Sequence, residues 1–115
     1  MSLLERLAAA ALERRDVERR ALWMELSRQV DVGNLERPNV QDARVLAVAA
    51  ALTELLAEQK GQEAPEWTSG VGPLPKAVYL MSRSSERGYQ RLRVETPRPF
   101  SCRNLYSSAK YLQLV

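Results

Sequence analysis

The sequence predicts a mainly α protein: an N-terminal three-helix bundle over residues 1–61, then a Pro-rich, partly β segment over residues 62–115 that includes a short hairpin. Both parts are read as one domain, the usual outcome for a chain of 115 residues. Three observations carry this reading. Residues 39–61 show a long run of helical periodicity. Leu, Ala, Arg and Glu dominate the first half, and all four favour helix. The composition then changes abruptly, with three prolines and two glycines within residues 62–75.

Taken in order, Ser2 followed by Glu5 forms a capping box, in which side chain and backbone satisfy each other's free donors. Leu4, Leu7, Ala8, Ala11 and Leu12 make one apolar face. Arg14 and Arg15 suit the negative end of a helix. Asp16 either caps a second helix or lies within a continuous one, and the loss of phase near Arg15 favours a break. From Val17 to Val30, the residues Leu22, Trp23, Leu26 and Val30 recur at spacings of three and four. Of the neighbours Trp23 and Met24, one is expected in the core and the other at its margin. Arg19, Arg20, Glu25 and Arg28 are expected in solvent. Residues 31–38 connect, with Gly33, Asn34 and Pro38 as turn and stop signals.

The central helix follows. Asn39 is the expected cap, Asp42 places a carboxylate near the positive end, and Gly61 supplies the stop. Val45, Val48, Ala49, Leu52, Leu55 and Leu56 give it a broad apolar stripe, which places it mid-bundle. It and the preceding helix form a helical hairpin in this reading, closed by the first helix.

Residues 62–75 are expected to lack regular structure yet to lie over the bundle, pinned by Trp67, Val71 and Leu74. Trp67 is read as buried, with a partner-binding role for an exposed indole as the alternative. A β-hairpin is expected from residues 77–82 and 89–95, because Leu92 and Val94 alternate with Arg91 and Arg93. Pro97 and Pro99 stop the second strand. Ser107 or Ser108 then caps a final turn through Leu112, and the apolar tail docks.

Several chemistries are excluded by composition. The chain has no histidine, which removes His-based triads and Cys/His zinc sites. Its one cysteine, Cys102, cannot form an intrachain disulfide and is read as a small, semi-buried thiol. Gly70 and Gly72 lack the context of a phosphate loop and read as a turn. No apolar run reaches the length of about 18 residues that a membrane span needs. Glu5 and Arg6 interrupt the first apolar stretch, unlike a secretory signal, so a cytoplasmic location is expected. Charge is uneven. Residues 1–69 hold nine basic and twelve acidic side chains, a balance of −3, and residues 70–115 hold eight and two, a balance of +6. A basic C-terminal half binds something acidic or pairs with the other half.

One stretch has a family resemblance. The segments PEWTSGVGPLPKAVYL and PRPFSCRN carry a Pro-x-Trp segment, a Leu-Pro pair, an apolar strand and an Arg-Asn after a helical region. Over residues 65–112 this resembles small bacterial proteins that accompany toxin–antitoxin and defence loci. That pattern often has consecutive arginines before the asparagine, where this chain has Ser101, Cys102 and a single Arg103. The resemblance implies a small accessory or antitoxin-like protein.

The candidate partner-binding set is Trp67, Arg83, Arg87, Tyr89, Arg91, Arg93, Arg98, Arg103 and Tyr106, with Tyr79 and Phe100 interleaved. Arg and Tyr are favoured at protein interfaces, and the same pair can hold nucleic acid by phosphate contacts and stacking. The expected function is non-catalytic masking of a partner, a toxin or an enzyme. Nucleic-acid binding by the same arginines is the second reading. Homodimerisation through apolar helices is a further expectation. No catalytic residue, metal or cofactor is expected, and no membrane partner.

Overall fold

The computed structural model describes residues 2–28 and 31–108. It contains six helices and two short strands among those residues. Helix α1 spans Leu3–Leu12. The Ser2 hydroxyl accepts from the Glu5 amide at 3.2 Å, so the expected cap is present. The helix ends at a left-handed residue, Arg14, with φ of 57°. The Arg15 amide returns to the Ala10 carbonyl at 2.9 Å, a Schellman-type closure. The break near Arg15 is therefore real, and helix α2 begins at Asp16 and runs to Ser27.

Helix α2 sends Leu22, Trp23 and Leu26 inward. Trp23 is 4% exposed and Met24 53%, the division that their adjacency implies. Arg19 departs from expectation: it is 3% exposed, and its guanidinium lies 3.6 Å from the Asp16 carboxylate one turn earlier. A long aliphatic stem lets arginine enter an apolar margin when a carboxylate meets its head.

A 3-10 turn, Val32–Asn34, sits in the connection, with the Asp31 carboxylate accepting from the Gly33 amide. Helix α3 spans Ala43–Lys60. Its cap is Asp42 rather than Asn39, accepting from the Arg44 amide at 2.9 Å. A carboxylate meets both the free amides and the positive dipole end, whereas a neutral amide side chain meets only the first. Gly61, at φ of 64°, closes α3, and the Gln62 amide bonds the Ala57 carbonyl. Nearly every residue from Ala47 to Ala57 is buried, as a central helix requires.

The bundle order differs from the expected hairpin. Helix α1 packs against both α2 and α3, and α2 and α3 share no comparable face. The 3-10 turn of the connection packs on α3. On its other sides α3 meets helices α4, Glu66–Ser69, and α6, Arg98–Ser101. Helix α4 is a single turn inside the segment expected to be irregular; the Thr68 and Ser69 hydroxyls donate back to the Pro65 and Glu66 carbonyls. The segment does lie over the bundle: Leu74 is buried, and Trp67 and Val71 pack partly against the core.

The hairpin is replaced by a different arrangement. Strand β1, Val78–Tyr79, pairs in parallel with β2, Leu105–Tyr106, with Val78 opposite Leu105 and Tyr79 opposite Tyr106. Residues 89–95, expected as the second hairpin strand, fall within helix α5, Glu86–Glu95. Ser85 caps it by accepting from the Gly88 amide at 3.1 Å. The residues Tyr89, Leu92 and Thr96 fit a helical period as well as Leu92 and Val94 fit a period of two. Parallel strands need a crossover, and α5 and α6 supply it. The final turn and docked tail fall on residues 109–115, outside the described residues.

Candidate partner-binding surface

Pairing β1 with β2 brings Tyr79 beside Tyr106, with ring centroids 5.4 Å apart. Helix α5 adds Tyr89, edge-on to Tyr79 at 5.0 Å. Arg93, on the next turn of α5, covers Tyr79 and Tyr106. Its Nε donates to the Tyr79 hydroxyl at 2.8 Å, and its guanidinium carbon lies 5.1 Å from the Tyr106 ring centroid and 5.8 Å from that of Tyr79. The Tyr79 hydrogen bond, and after it the local charge of that hydroxyl, hold the Arg93 guanidinium above its ordinary pKa. Tyr106 is fixed in turn by donating its hydroxyl to Asn104 Oδ1 at 3.0 Å, and Asn104 donates to the Leu74 carbonyl.

A residue from the far end of the chain completes the base of the cluster. Arg14 donates through Nη1 to the Ser82 hydroxyl and through Nη2 to the Tyr79 carbonyl, the latter at 3.1 Å. The left-handed turn at Arg14 aims its side chain at the sheet. Arg14, Tyr79, Glu86 and Tyr89 thus border one shallow recess.

The outer face of α5 carries Arg87, Arg91 and Val94, spaced i, i+4 and i+7. All three are exposed, Val94 to 85%. Arg83 is half-buried, with its stem against Gly88: a Cβ at that glycine would sit 3.0 Å from the Arg83 Cβ. Gly88 is thus the residue that lets the approach to α5 fold back on the helix.

The remaining candidates lie elsewhere. Trp67 is half-buried; its indole N–H donates to the Leu35 carbonyl at 2.8 Å, and one face lines a groove with Leu46, Leu74, Pro73 and Arg37. Arg98 is exposed on the wall of a separate polar pocket with Glu58 and Ser69. Cys102 lines the same pocket and is exposed rather than semi-buried. Arg103 is not a surface residue. It is 3% exposed and its donors are used inside the protein. Phe100 is fully buried.

The structure therefore gathers Tyr89, Arg93 and Tyr106 into one cluster around Tyr79, leaves Arg87 and Arg91 on the opposite, outer face of α5 with Arg83 against Gly88, and separates Trp67, Arg98 and Arg103 from both. Arg14 and Val94 were not among the expected residues. Val94 was legible as the i+7 neighbour of Arg87 once the segment is read as a helix. Nothing local in the sequence marks Arg14, because its partners are 65 and 68 positions away. Among the described residues no group of three or more His, Cys, Asp or Glu side chains could hold a metal ion. No helix among them is long and apolar enough to cross a membrane. Comparison with protein-family models, with curated proteins and with solved structures gives no match.

Proposed function

We propose that this chain is a non-catalytic, antitoxin-like accessory protein of the cytoplasm that masks an acidic surface on a protein partner, a toxin or an enzyme. The observation that carries the reading is the outer face of α5, where an exposed Val94 lies in line with two exposed arginines, Arg87 and Arg91. An apolar contact beside guanidinium groups is the composition of a protein interface, where Arg donors take carboxylates and apolar atoms exclude water.

The tyrosines favour protein over nucleic acid. Base stacking needs free ring faces. Here Tyr79 packs against Tyr89 and Tyr106, and Arg93 covers Tyr79 and Tyr106. Their role in this reading is to support α5 and hold Arg93 in place.

The test is capture from the native lysate with the tagged chain, after nuclease treatment, comparing wild type with R87E/R91E. A protein retained by wild type and lost by the double variant supports the reading. A partner held equally by both removes α5 from the site. Recovery that disappears with nuclease, with affinity falling steeply as salt rises, transfers the surface to nucleic acid.

A further inference from the structure

Helix α2 carries a second apolar surface, distinct from α5. Val17 is 84% exposed and Met24 53%, and with Val94 they are the exposed large hydrophobic side chains of the described residues. Val17, Ala21 and Met24 are spaced by four and three, so they form one stripe along the helix. Leu22, Trp23 and Leu26 leave from the other side and enter the core. The outer stripe therefore does nothing for packing within the chain.

We infer that this stripe is a self-association face, on which two copies of the chain pack α2 against α2 in parallel about a twofold axis. The spacing is that of a coiled-coil seam, with Ala21 at one seam position and Val17 and Met24 at the other. Alanine at the centre lets the two helices approach closely. The charges decide the direction. Arg20 directly precedes Ala21 and Glu25 directly follows Met24. In a parallel pair, the residue before one seam position faces the residue five places later on the second helix. Arg20 of each copy then meets Glu25 of the other, twice by symmetry. Antiparallel packing would instead bring like flanking charges together, Arg20 against Arg20 with Ala21 opposite Val17, or Glu25 against Glu18 with Ala21 opposite Met24, and either is repulsive. Both Arg20 and Glu25 are exposed, and neither is in a salt bridge of its own chain among the described residues.

The seam is short and ends at the exposed Arg28, so the area buried falls below the roughly 1,200 Å² of a standard interface and the dimer is a weak one. It leaves α5 untouched and is independent of the masking function.

Sedimentation equilibrium of the full chain tests the inference. Wild type should show an average mass that rises with concentration from 13.0 kDa toward twice that value. M24E should stay monomeric with an unchanged circular dichroism melt, because Met24 lies outside the core. R20E and E25R should each weaken association about tenfold, and R20E/E25R should restore it, since exposed ion pairs are worth little singly but two pairs change sign together. A second readout fixes direction: V17C in a C102S background should crosslink to itself under oxidation, which only a parallel pair permits. A chain that remains monomeric at millimolar concentration overturns the inference. So does a dimer indifferent to M24E, a charge swap without rescue, or a V17C that fails to crosslink.

Discussion

Arg103 and Glu54 face each other fork to fork across the middle of the protein. The two terminal nitrogens of Arg103 donate to the two carboxylate oxygens of Glu54 at 2.7 and 3.0 Å. Its other three N–H groups meet the carbonyls of Val71 at 2.9 Å, Pro99 at 2.7 Å and Thr68 at 2.7 Å. All five donors of the guanidinium are thus used, and a single side chain ties α3, α4, α6 and the intervening loop together. This is the reason Arg103 has no place at a partner surface.

Removing Arg103 should therefore be costly. Arg103→Ala leaves a carboxylate and three carbonyls without their donor, and we expect a loss of about 3–5 kcal/mol by urea denaturation. The Glu54 side chain is 25% exposed, so water can reach part of it and the lower end of that range applies. Arg103→Lys should recover little of this, because an ammonium has three donors and no planar fork.

Acid should weaken the same clamp. Burial pushes the Glu54 carboxyl up, but the hydrogen bonds and charge of Arg103, with a smaller contribution from Thr68, outweigh it and hold the group below its usual range. A carboxyl depressed in the folded state adds stability above its unfolded pKa of about 4.3, and loses it as pH falls through the folded value. Wild type should thus be more stable than Glu54→Gln at pH 7, and the gap should narrow steadily below about pH 4.3. Denaturant midpoints across pH 3–7 check this, and a constant gap would remove Glu54 from the acid limb.

Leu92 and Val94 separate helix from hairpin directly. On a strand the two would share a face. On α5 Leu92 is fully buried and Val94 is 85% exposed. Leu92→Ala should cost about 2–5 kcal/mol, as for other buried leucines. Val94→Ala should change stability by no more than about 0.5 kcal/mol. Similar losses at both positions would restore the hairpin.

The left-handed residue at the α1–α2 corner gives an ordered pair of outcomes. Arg14→Ala loses the contacts to Ser82 and Tyr79 and keeps a backbone conformation that costs a non-glycine residue about 1–2 kcal/mol. Arg14→Gly loses the same contacts but removes that strain. The glycine variant should melt above the alanine variant by the equivalent of about 1 kcal/mol, read by circular dichroism.

Local signals account for much of the helical half. Ser2, Gly61 and the break near Arg15 act through caps and turns that depend only on neighbours within a few residues, and the structure has each of them. The Trp23–Met24 division follows from helix geometry in the same way. The cap of α3 was misplaced by three residues because Asn39 and Asp42 are both good caps.

What the sequence alone determined was the mainly helical class, the central position of a helix within residues 39–61, and the concentration of positive charge after residue 69. Each follows from periodicity, propensity or composition. Tertiary structure decided the rest. Residues 86–95 fit both periods, and a helix wins because Ser85 caps it and the crossover between two parallel strands must be filled. Among the arginines, identity and spacing are silent on fate. Arg103 is consumed by Glu54, 49 positions away, while Arg87 and Arg91 stay in solvent. Partners at such separations are chosen by packing, because the free energy of burying a guanidinium depends on every acceptor that the fold brings to it.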